Sequence, residues 1–472
     1  MKILLIEDHD DYIENIKSQI LSVRGDIDFN FAKSRNSAEK LIKDNFFDLI
    51  VLDLKIPAVD GTRDAEPEHG HATFEYARTH ASGTPLFVLT GSAAEPFIDK
   101  LQENINQIDI WGMGRIQTVT FLQKHKFGSS FPALISPYLN GCSSMLDVEL
   151  SGNLTSLSIK DSRVIRIFAN SKGAVKCYIS LLTGGLSGVK VIRLRLTNAA
   201  GAPVLEAVAK LGSKDDVFDE NARFESHVIR LEGKATPRKL GIVEYGAGNV
   251  FGVFYSLAAG YDTDAFNLAA GNDDVSESIV LRIAELTKPW SAGVPETRQL
   301  IQTLRQRAIN DAAFARVRGE IPFQWIEEFE RRNIQIKLTC CHGDLHGKNV
   351  LAALDGSPVL IDYGDVGDAS ASWDPITLEL SLLFHTDGPL RNSEWPTEED
   401  ALNWGDIDLY VKNCPMPRFV RACRAWANIT AAGNREVAAC AYSYLVRQLK
   451  YENDRKKIFP LIAGAKKLFD NA

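Results

Sequence analysis

The chain has 472 residues, 45% of them hydrophobic and 24% charged, with a formal net charge of −8. Such a composition is that of folded globular protein, and the length has room for two or three domains. The acidic balance argues against a general nucleic-acid binder, which carries a basic face. No apolar run reaches the ~20 residues that a membrane helix needs, so no membrane insertion is expected. The opening "ILLI" is too short, and too soon followed by acids, for a signal peptide. Seven cysteines without a CxxC pair read as free thiols, which suits a reducing, cytoplasmic setting.

In chain order, the first ~125 residues alternate strand-like and helix-like patterns. "KILLIE" reads as a buried strand, and "DYIENIKSQILSV" places Ile13, Ile16 and Ile20 on one helical face. "FNFAKS", "SAEKLIKDN", "FDLIVLD", "HATFEYARTH", "PLFVLTG", "AEPFIDKLQEN" and "TVTFLQ" continue the alternation. This pattern predicts a parallel sheet covered on both faces, with its site at the carboxyl ends of the strands. Glu7 and Asp8 end the first strand and Asp53 ends "LIVLD". Carboxylates gathered at adjacent strand ends repel unless a cation joins them, so they imply a Mg²⁺ site. Thr90 and Lys124 end two further strands.

This set resembles the receiver domain of bacterial response regulators, a flavodoxin-like doubly wound fold. The resemblance implies that Asp53 is the phosphoacceptor and that Glu7, Asp8 and Asp53 surround Mg²⁺. It also implies that Thr90 is the switching hydroxyl and that Lys124 contacts the phosphoryl group. Pro57 and Gly61 fit the usual loop after Asp53. Two features depart from the pattern: "TRDAEPEHG" enlarges that loop, and the segment after Lys124 lacks the usual Pro and a clear last helix.

From Phe127 the pattern changes. "FGSSFPALISPYLNGCSS" is rich in Ser, Gly and Pro and reads as a boundary with at most a short helix. "MLDVELSGNLTSLSIKDSRVIRIFANSKG" reads as several short strands, so a β-rich connector is expected over residues 129–174. Next come antiparallel strands with turns at "TGG" and "NAAG", a helix at "DENARFESHVIRLEG", and a further strand pair. After about Asp262 the chain reads as helical almost to its end.

The helical part is interrupted by "CCHGDLHGKNVLAALDGSPVLIDYGD". "NVLAA" and "PVLIDYG" form a predicted hairpin that brings Asn349 and Asp362 to one end, close to the loop carrying Asp344. Oxygen ligands from Asn and Asp suit Mg²⁺, and a loop carboxylate can orient a hydroxyl and accept its proton. "HGDLHGKNVL" with "LIDYGD" is similar to the catalytic loop and metal-binding segment of aminoglycoside phosphotransferase-like kinases, relatives of protein kinases. That resemblance implies that Asp344 is the catalytic aspartate, that Asn349 and Asp362 hold Mg²⁺, and that Asp374 is structural. Gly347 stands where the family often has Pro. His342 reads as a positioning residue, and His346 is undecided on the same grounds.

By the same resemblance, Gly184, Gly185 and Gly188 would cover the phosphates of ATP, and Lys210 would be the nucleotide-binding lysine. Glu225 would be its ion-pair partner, with Glu220 as the rival. "FYSLAAGYDTD" would be the adenine-binding hinge.

The expected architecture is therefore an α/β receiver (1–128), a connector (129–174) and an α+β two-lobed protein-kinase-like fold (175–262 and 263–472). The expected activity is a Mg²⁺- and ATP-dependent phosphotransferase controlled at Asp53. Its partners would be a sensor histidine kinase or other phosphodonor, and an acceptor that is not identified. The rival reading is a nucleotide-binding pseudokinase scaffold in a signalling or defence complex.

Overall fold

A computed structural model describes residues 1–81, 83–91, 106–181, 189–231, 236–256, 260–261, 263–271 and 273–472. The chain divides into two compact units. One is Met1–Val217 with Lys239–Ser256; the other is Phe218–Arg238 with Leu257–Ala472. No described helix is long and apolar enough to cross a membrane. All seven cysteines are free and buried.

The first unit opens with strands β1 (Lys2–Ile6), β2 (Asp28–Ala32), β3 (Leu49–Asp53) and β4 (Leu86–Thr90). After a small hairpin of β5 (Gln107–Ile108) and β6 (Ile116–Gln117) comes β7 (Val119–Gln123). The parallel sheet runs in the order β2-β1-β3-β4-β7. This is the flavodoxin-like order, whose switch point lies between its first and third strands. Helices α1 (Asp10–Val23), α2 (Arg35–Asp44) and α3 (Pro67–His80) fall between these strands.

The strands are apolar throughout because both faces are covered. Leu4, Ile6, Ile50 and Leu52 point to the face packed by Ala38, Ile42, Phe74 and Ala77 of α2 and α3. Their neighbours Ile3, Leu5, Leu49 and Val51 point to the other face, toward Ile13, Ile16 and Ile20 of α1. The expected helix at "AEPFIDKLQEN" falls on residues 94–104, outside the described residues.

The connector is a correction. It is not β-rich: helix α4 spans Phe127–Leu146 and helix α5 spans Ile159–Ser171, with only β8 (Glu149–Gly152) between them. Pro132 and Pro137 read as breakers, yet both lie inside α4. A helical proline orphans the carbonyl four residues before it. Those residues, Gly128 and Ala133, are exposed, so water can satisfy their carbonyls. Phe127, Phe131, Ile135, Leu139 and Cys142 recur at helical spacing and bury against Phe87, Leu89 and Leu122 of the parallel sheet. Thus α4 supplies the last helical cover that the sequence after Lys124 does not announce. The start of α5 was marked by a capping box, Ser158 with Asp161, hidden among the β-branched residues Val164, Ile165 and Ile167.

The second sheet of this unit adds β9 (Lys176–Leu181), β10 (Lys190–Thr197), β11 (Pro203–Gly212), β12 (Lys239–Val243) and β13 (Phe251–Ser256). Its order is β12-β13-β11-β10-β9-β8, antiparallel except for the β8–β9 edge. One core continues from α4 through Val164 and Phe168 of α5 into Ile192, Leu194, Ala209 and Phe254 of this sheet. The Phe168 and Phe254 rings stack at 3.8 Å.

Helix α6 (Lys214–Ser226) follows β11. The second unit then contains short strands β14 (Thr263–Asp264), β15 (Glu296–Leu300), β16 (Asn333–Cys341), β17 (Val350–Ala352), β18 (Pro358–Leu360) and β19 (Gly367–Ser370). They form two three-stranded sheets, β14-β17-β18 and β15-β16-β19. The helices of this unit are α7 (Ala265–Gly271), α8 (Asp273–Ser291), α9 (Ile301–Ala308), α10 (Asp311–Arg318), α11 (Ile326–Glu330) and α12 (Trp373–Phe384). After them come α13 (Glu398–Leu402), α14 (Ile407–Tyr410), α15 (Pro417–Thr430), α16 (Asn434–Gln448) and α17 (Arg455–Asp470). Every residue of α12 is buried. Its Glu379 accepts from Arg424 of α15 through both carboxylate oxygens, at 2.8 and 3.1 Å, and from the Trp404 indole at 2.9 Å. A buried charge pair needs such complete bonding to be tolerated.

Candidate functional site

The loop from residue 342 to 349 joins β16 to the β17–β18 hairpin. Asp374, at the start of α12, shapes its first turn. The Asp374 carboxylate accepts the backbone N–H of His342 at 2.7 Å and that of Gly343 at 3.1 Å. Burial raises the Asp374 pKa, against the opposing effect of these donors and of His342. The Trp373 indole donates to the Gly343 carbonyl at 2.7 Å. Gly343 has φ +87°, and a Cβ there would meet the Asp365 carbonyl oxygen at 2.2 Å, so the turn requires glycine.

The next residues are tied to the hairpin. Asn349 Nδ2 donates to the Asp344 carbonyl at 2.9 Å, which turns its Oδ1 to the opposite edge of the amide. The Ile361 N–H donates to the Asn349 carbonyl at 2.9 Å. His342 is fully buried, and its Nε2 lies 2.9 Å from the Ile361 carbonyl oxygen. Asp362 follows directly, and is the one described non-glycine residue with positive φ, at 67°. Left-handed backbone at a non-glycine residue is uncommon and marks functional sites. The loop and hairpin thus tie Asp344 to Asn349 and set Asp362 next in chain to the bonded Ile361, with His342 as a support.

Gly347 leaves no room for a proline. A Cβ there would meet the Phe266 ring at 2.1 Å, so α7 occupies the space that a proline ring would need.

Three groups reach the Asp344 carboxylate or its surroundings that the sequence did not assign. Arg447 of α16 places Nη1 3.4 Å from Oδ1, and His346 places Nε2 3.6 Å from Oδ2. The His385 ring lies 4.2 Å from the His346 ring, centroid to centroid. Burial, with His385 and His342 nearby, pushes the His346 pKa down to about 3, so the ring is neutral. Burial lowers His385 as well. For Arg447, burial works against the charge, and Asp344, with Tyr444 and Tyr451, more than restores it. Arg447 lies 103 residues from Asp344. Its only local signal is a cation at the end of the otherwise apolar run "VAACAYSYLVRQ".

The first unit carries a second cluster. Ligand oxygens of Glu7, Asp8 and Asp53 lie within 4.8 Å of one another. Lys124 Nζ reaches Asp53 Oδ2 at 2.7 Å and Glu7 Oε2 at 3.0 Å. Thr90 is buried at the end of β4, beside the strand that Asp53 ends. Burial and the neighbouring Asp53 push the Glu7 pKa up to about 7. Burial also raises Asp53, against Lys124. Lys124 would be lowered by its own burial, and the two carboxylates raise it instead. Asp8 Oδ1 is buried with no hydrogen-bond partner. Three hard oxygens, one of them orphaned, fit a divalent cation such as Mg²⁺.

Lys210 lies on β11, opposite Val191 and Val253, and is buried. Of the two acids on α6, Glu220 is buried and Glu225 is exposed. Gly184, Gly185 and Gly188 lie outside the described residues, as do residues 257–259 and 262 of the expected hinge.

No protein-family model matches the chain, and neither does any curated protein. Among solved structures, one similar chain is the receiver domain of a sensor histidine kinase from Pseudomonas aeruginosa PAO1, which holds a magnesium ion in its active-site cleft. It is 17% identical, with 29% of this chain and 97% of that chain covered and a TM-score of 0.22. Another is an aminoglycoside-3'-phosphotransferase of type VIII, at 20% identity, 53% and 93% coverage and a TM-score of 0.31. A third is aminoglycoside phosphotransferase APH(4)-Ia in complex with ADP and hygromycin B, at 10% identity, 58% and 95% coverage and a TM-score of 0.32. The chain is thus similar to response-regulator receiver domains in its N-terminal portion and to aminoglycoside phosphotransferases over about half its length.

Proposed function

We propose that this chain is a signal-regulated phosphotransferase, transferring the γ-phosphate of ATP to a hydroxyl under control of phosphorylation at Asp53. The observation that carries the reading is the bonding of Asp344, Asn349 and the Ile361–Asp362 segment into one loop and hairpin, anchored by Asp374. Asp344 would orient the acceptor hydroxyl and take its proton as the oxygen attacks phosphorus. Asn349 and Asp362 would hold Mg²⁺, which when bound neutralises charge on the nucleotide phosphates. Lys210 would steady those phosphates.

In the receiver, Asp53 would take a phosphoryl group from a sensor kinase or a small phosphodonor. Glu7 and Asp8 would hold Mg²⁺ there. Lys124 would contact the added phosphoryl oxygens, and Thr90 would answer the new charge of about −1.5 to −2.

The test is Mg²⁺-dependent ATP turnover by the full chain, with and without acetyl phosphate. Asp344→Ala should reduce turnover by ~10²-fold or more while sparing nucleotide affinity. Unchanged turnover would remove Asp344 from the chemistry. A rate change on adding acetyl phosphate that Asp53→Ala abolishes would establish control. Thermal stabilisation by Mg-ATP without any product would instead make the domain a nucleotide-binding scaffold.

A further inference from the structure

Arg447 gives the Asp344 site a charge that the assigned roles do not use. Its guanidinium is only partly exposed, and Asp344 is its only carboxylate within ion-pairing distance among the described residues. The 3.4 Å separation is long for a charge-assisted bond, which usually spans about 2.7–2.9 Å. A guanidinium carries five N–H donors in a planar fork that matches a carboxylate or phosphate through two parallel bonds. One weak contact to a single oxygen of Asp344 and a hydrogen bond to Tyr451 leave part of that fork uncommitted.

Among the described residues no carboxylate other than Asp344 lies within ion-pairing distance of this charge. Tyr444 is buried and stays protonated. Lys348 is paired with Asp264 at 2.9 Å. Asp387 reaches His385 at 4.0 Å but is half exposed, where charge is screened. A polycationic acceptor brought to Asp344 would meet the Arg447 charge, which lies 3.4 Å from that carboxylate.

Resting on the phosphotransferase reading, we infer that the acceptor bears an anionic group, carboxylate or phosphate, beside the hydroxyl to be phosphorylated, and that Arg447 binds that group. The hydroxyl oxygen forms a bond to the γ-phosphorus while the bond from phosphorus to the bridging oxygen of ADP breaks. The hydroxyl proton passes to Asp344. The products are an acidic phosphate ester and ADP. Arg447 is then the specificity residue of the acceptor side.

The experiment is calorimetric titration of the full chain, loaded with Mg²⁺ and a non-hydrolysable ATP analogue, with glycerate, glycerol 3-phosphate, glycerol and ethanolamine. Glycerate and glycerol 3-phosphate separate the carboxylate from the phosphate case; the other two are the neutral and cationic controls. At least one anion should bind, ethanolamine should not, and Arg447→Gln should weaken the anion by about thirty-fold or more. Arg447→Lys should restore part of the loss, because it returns the charge without the fork. The inference is overturned if glycerol or ethanolamine binds as tightly as the anions, if no anion binds, or if Arg447→Gln changes nothing. Should Arg447→Gln fail to fold, the ranking of the four ligands on the unaltered chain decides. Binding is read without turnover, so a failure of the phosphotransferase reading shows in the ATP assay and not here.

Discussion

The guanidinium of Arg163 in α5 pairs with the buried carboxylate of Asp48, just before β3, and its Nε donates to the Gly246 carbonyl at 2.8 Å. One side chain therefore ties the start of the parallel sheet to the turn between β12 and β13. Asp48 also accepts the Lys2 backbone N–H at 2.7 Å, and the Phe46 ring lies 4.7 Å beneath the guanidinium. With side-chain exposures of 7% and 4%, neither charge tolerates loss of the other.

Arg163→Ala should therefore destabilise the chain by about 3–5 kcal/mol, because it strands a buried carboxylate. Pairing it with Asp48→Asn should recover part of that loss. Chemical denaturation followed by tryptophan fluorescence measures both. A loss below about 1 kcal/mol for the single variant would contradict the assigned role of the pair.

Asp374→Ala removes the acceptor for two loop N–H groups. Each buried unsatisfied donor costs about 1–3 kcal/mol, so a stability loss of roughly 2–6 kcal/mol is expected, together with loss of turnover. Retained turnover with normal stability would show that the loop does not depend on this carboxylate.

The Glu7–Asp8–Asp53 cluster should respond to Mg²⁺ in the absence of nucleotide. Saturating metal raises stability by about 2.7 kcal/mol at one hundred times its Kd. Asp8→Asn should diminish the Mg²⁺-dependent rise in melting temperature. Labelling by acetyl phosphate should need Asp53, so labelling that survives Asp53→Asn would refute the phosphoacceptor assignment.

His346 makes the stability of its unit depend on pH. Its folded pKa of about 3 lies below the usual histidine value, so the unfolded chain binds the extra proton first as pH falls. The contribution is complete above about 6.5 and is lost as pH drops from there toward 3, by up to about 1.4 kcal/mol per unit. In denaturation series across that window, His346→Asn should show a shallower slope than the unaltered chain. Parallel slopes would mean that the ring is protonated in the folded state.

Much of this architecture was legible in the chain itself. The apolar strands, and the placing of Glu7, Asp8, Asp53, Thr90 and Lys124 at or next to strand ends, follow from local patterning. A strand end is a property of a few neighbouring residues, and four such ends lead directly to one edge of a parallel sheet. The Asp344–Asn349–Asp362 spacing was equally readable, because loop and hairpin are contiguous. Helix α4 was not, since Pro132 and Pro137 are breakers in isolation. They are tolerated only because the carbonyls they orphan face water while Phe127, Phe131 and Ile135 bury on the sheet. The choice between Glu220 and Glu225 was also open in the sequence: both lie on one helix, and only packing decides which is buried. Arg447 and His385 had no local signature as site residues. Sequence by itself determined the strand and helix alternation and the two sets of candidate residues, which depend on short-range periodicity and spacing. Tertiary structure alone decided which distant side chains, Arg447 above all, surround Asp344, because only packing brings residues so far apart in the chain within reach of one carboxylate.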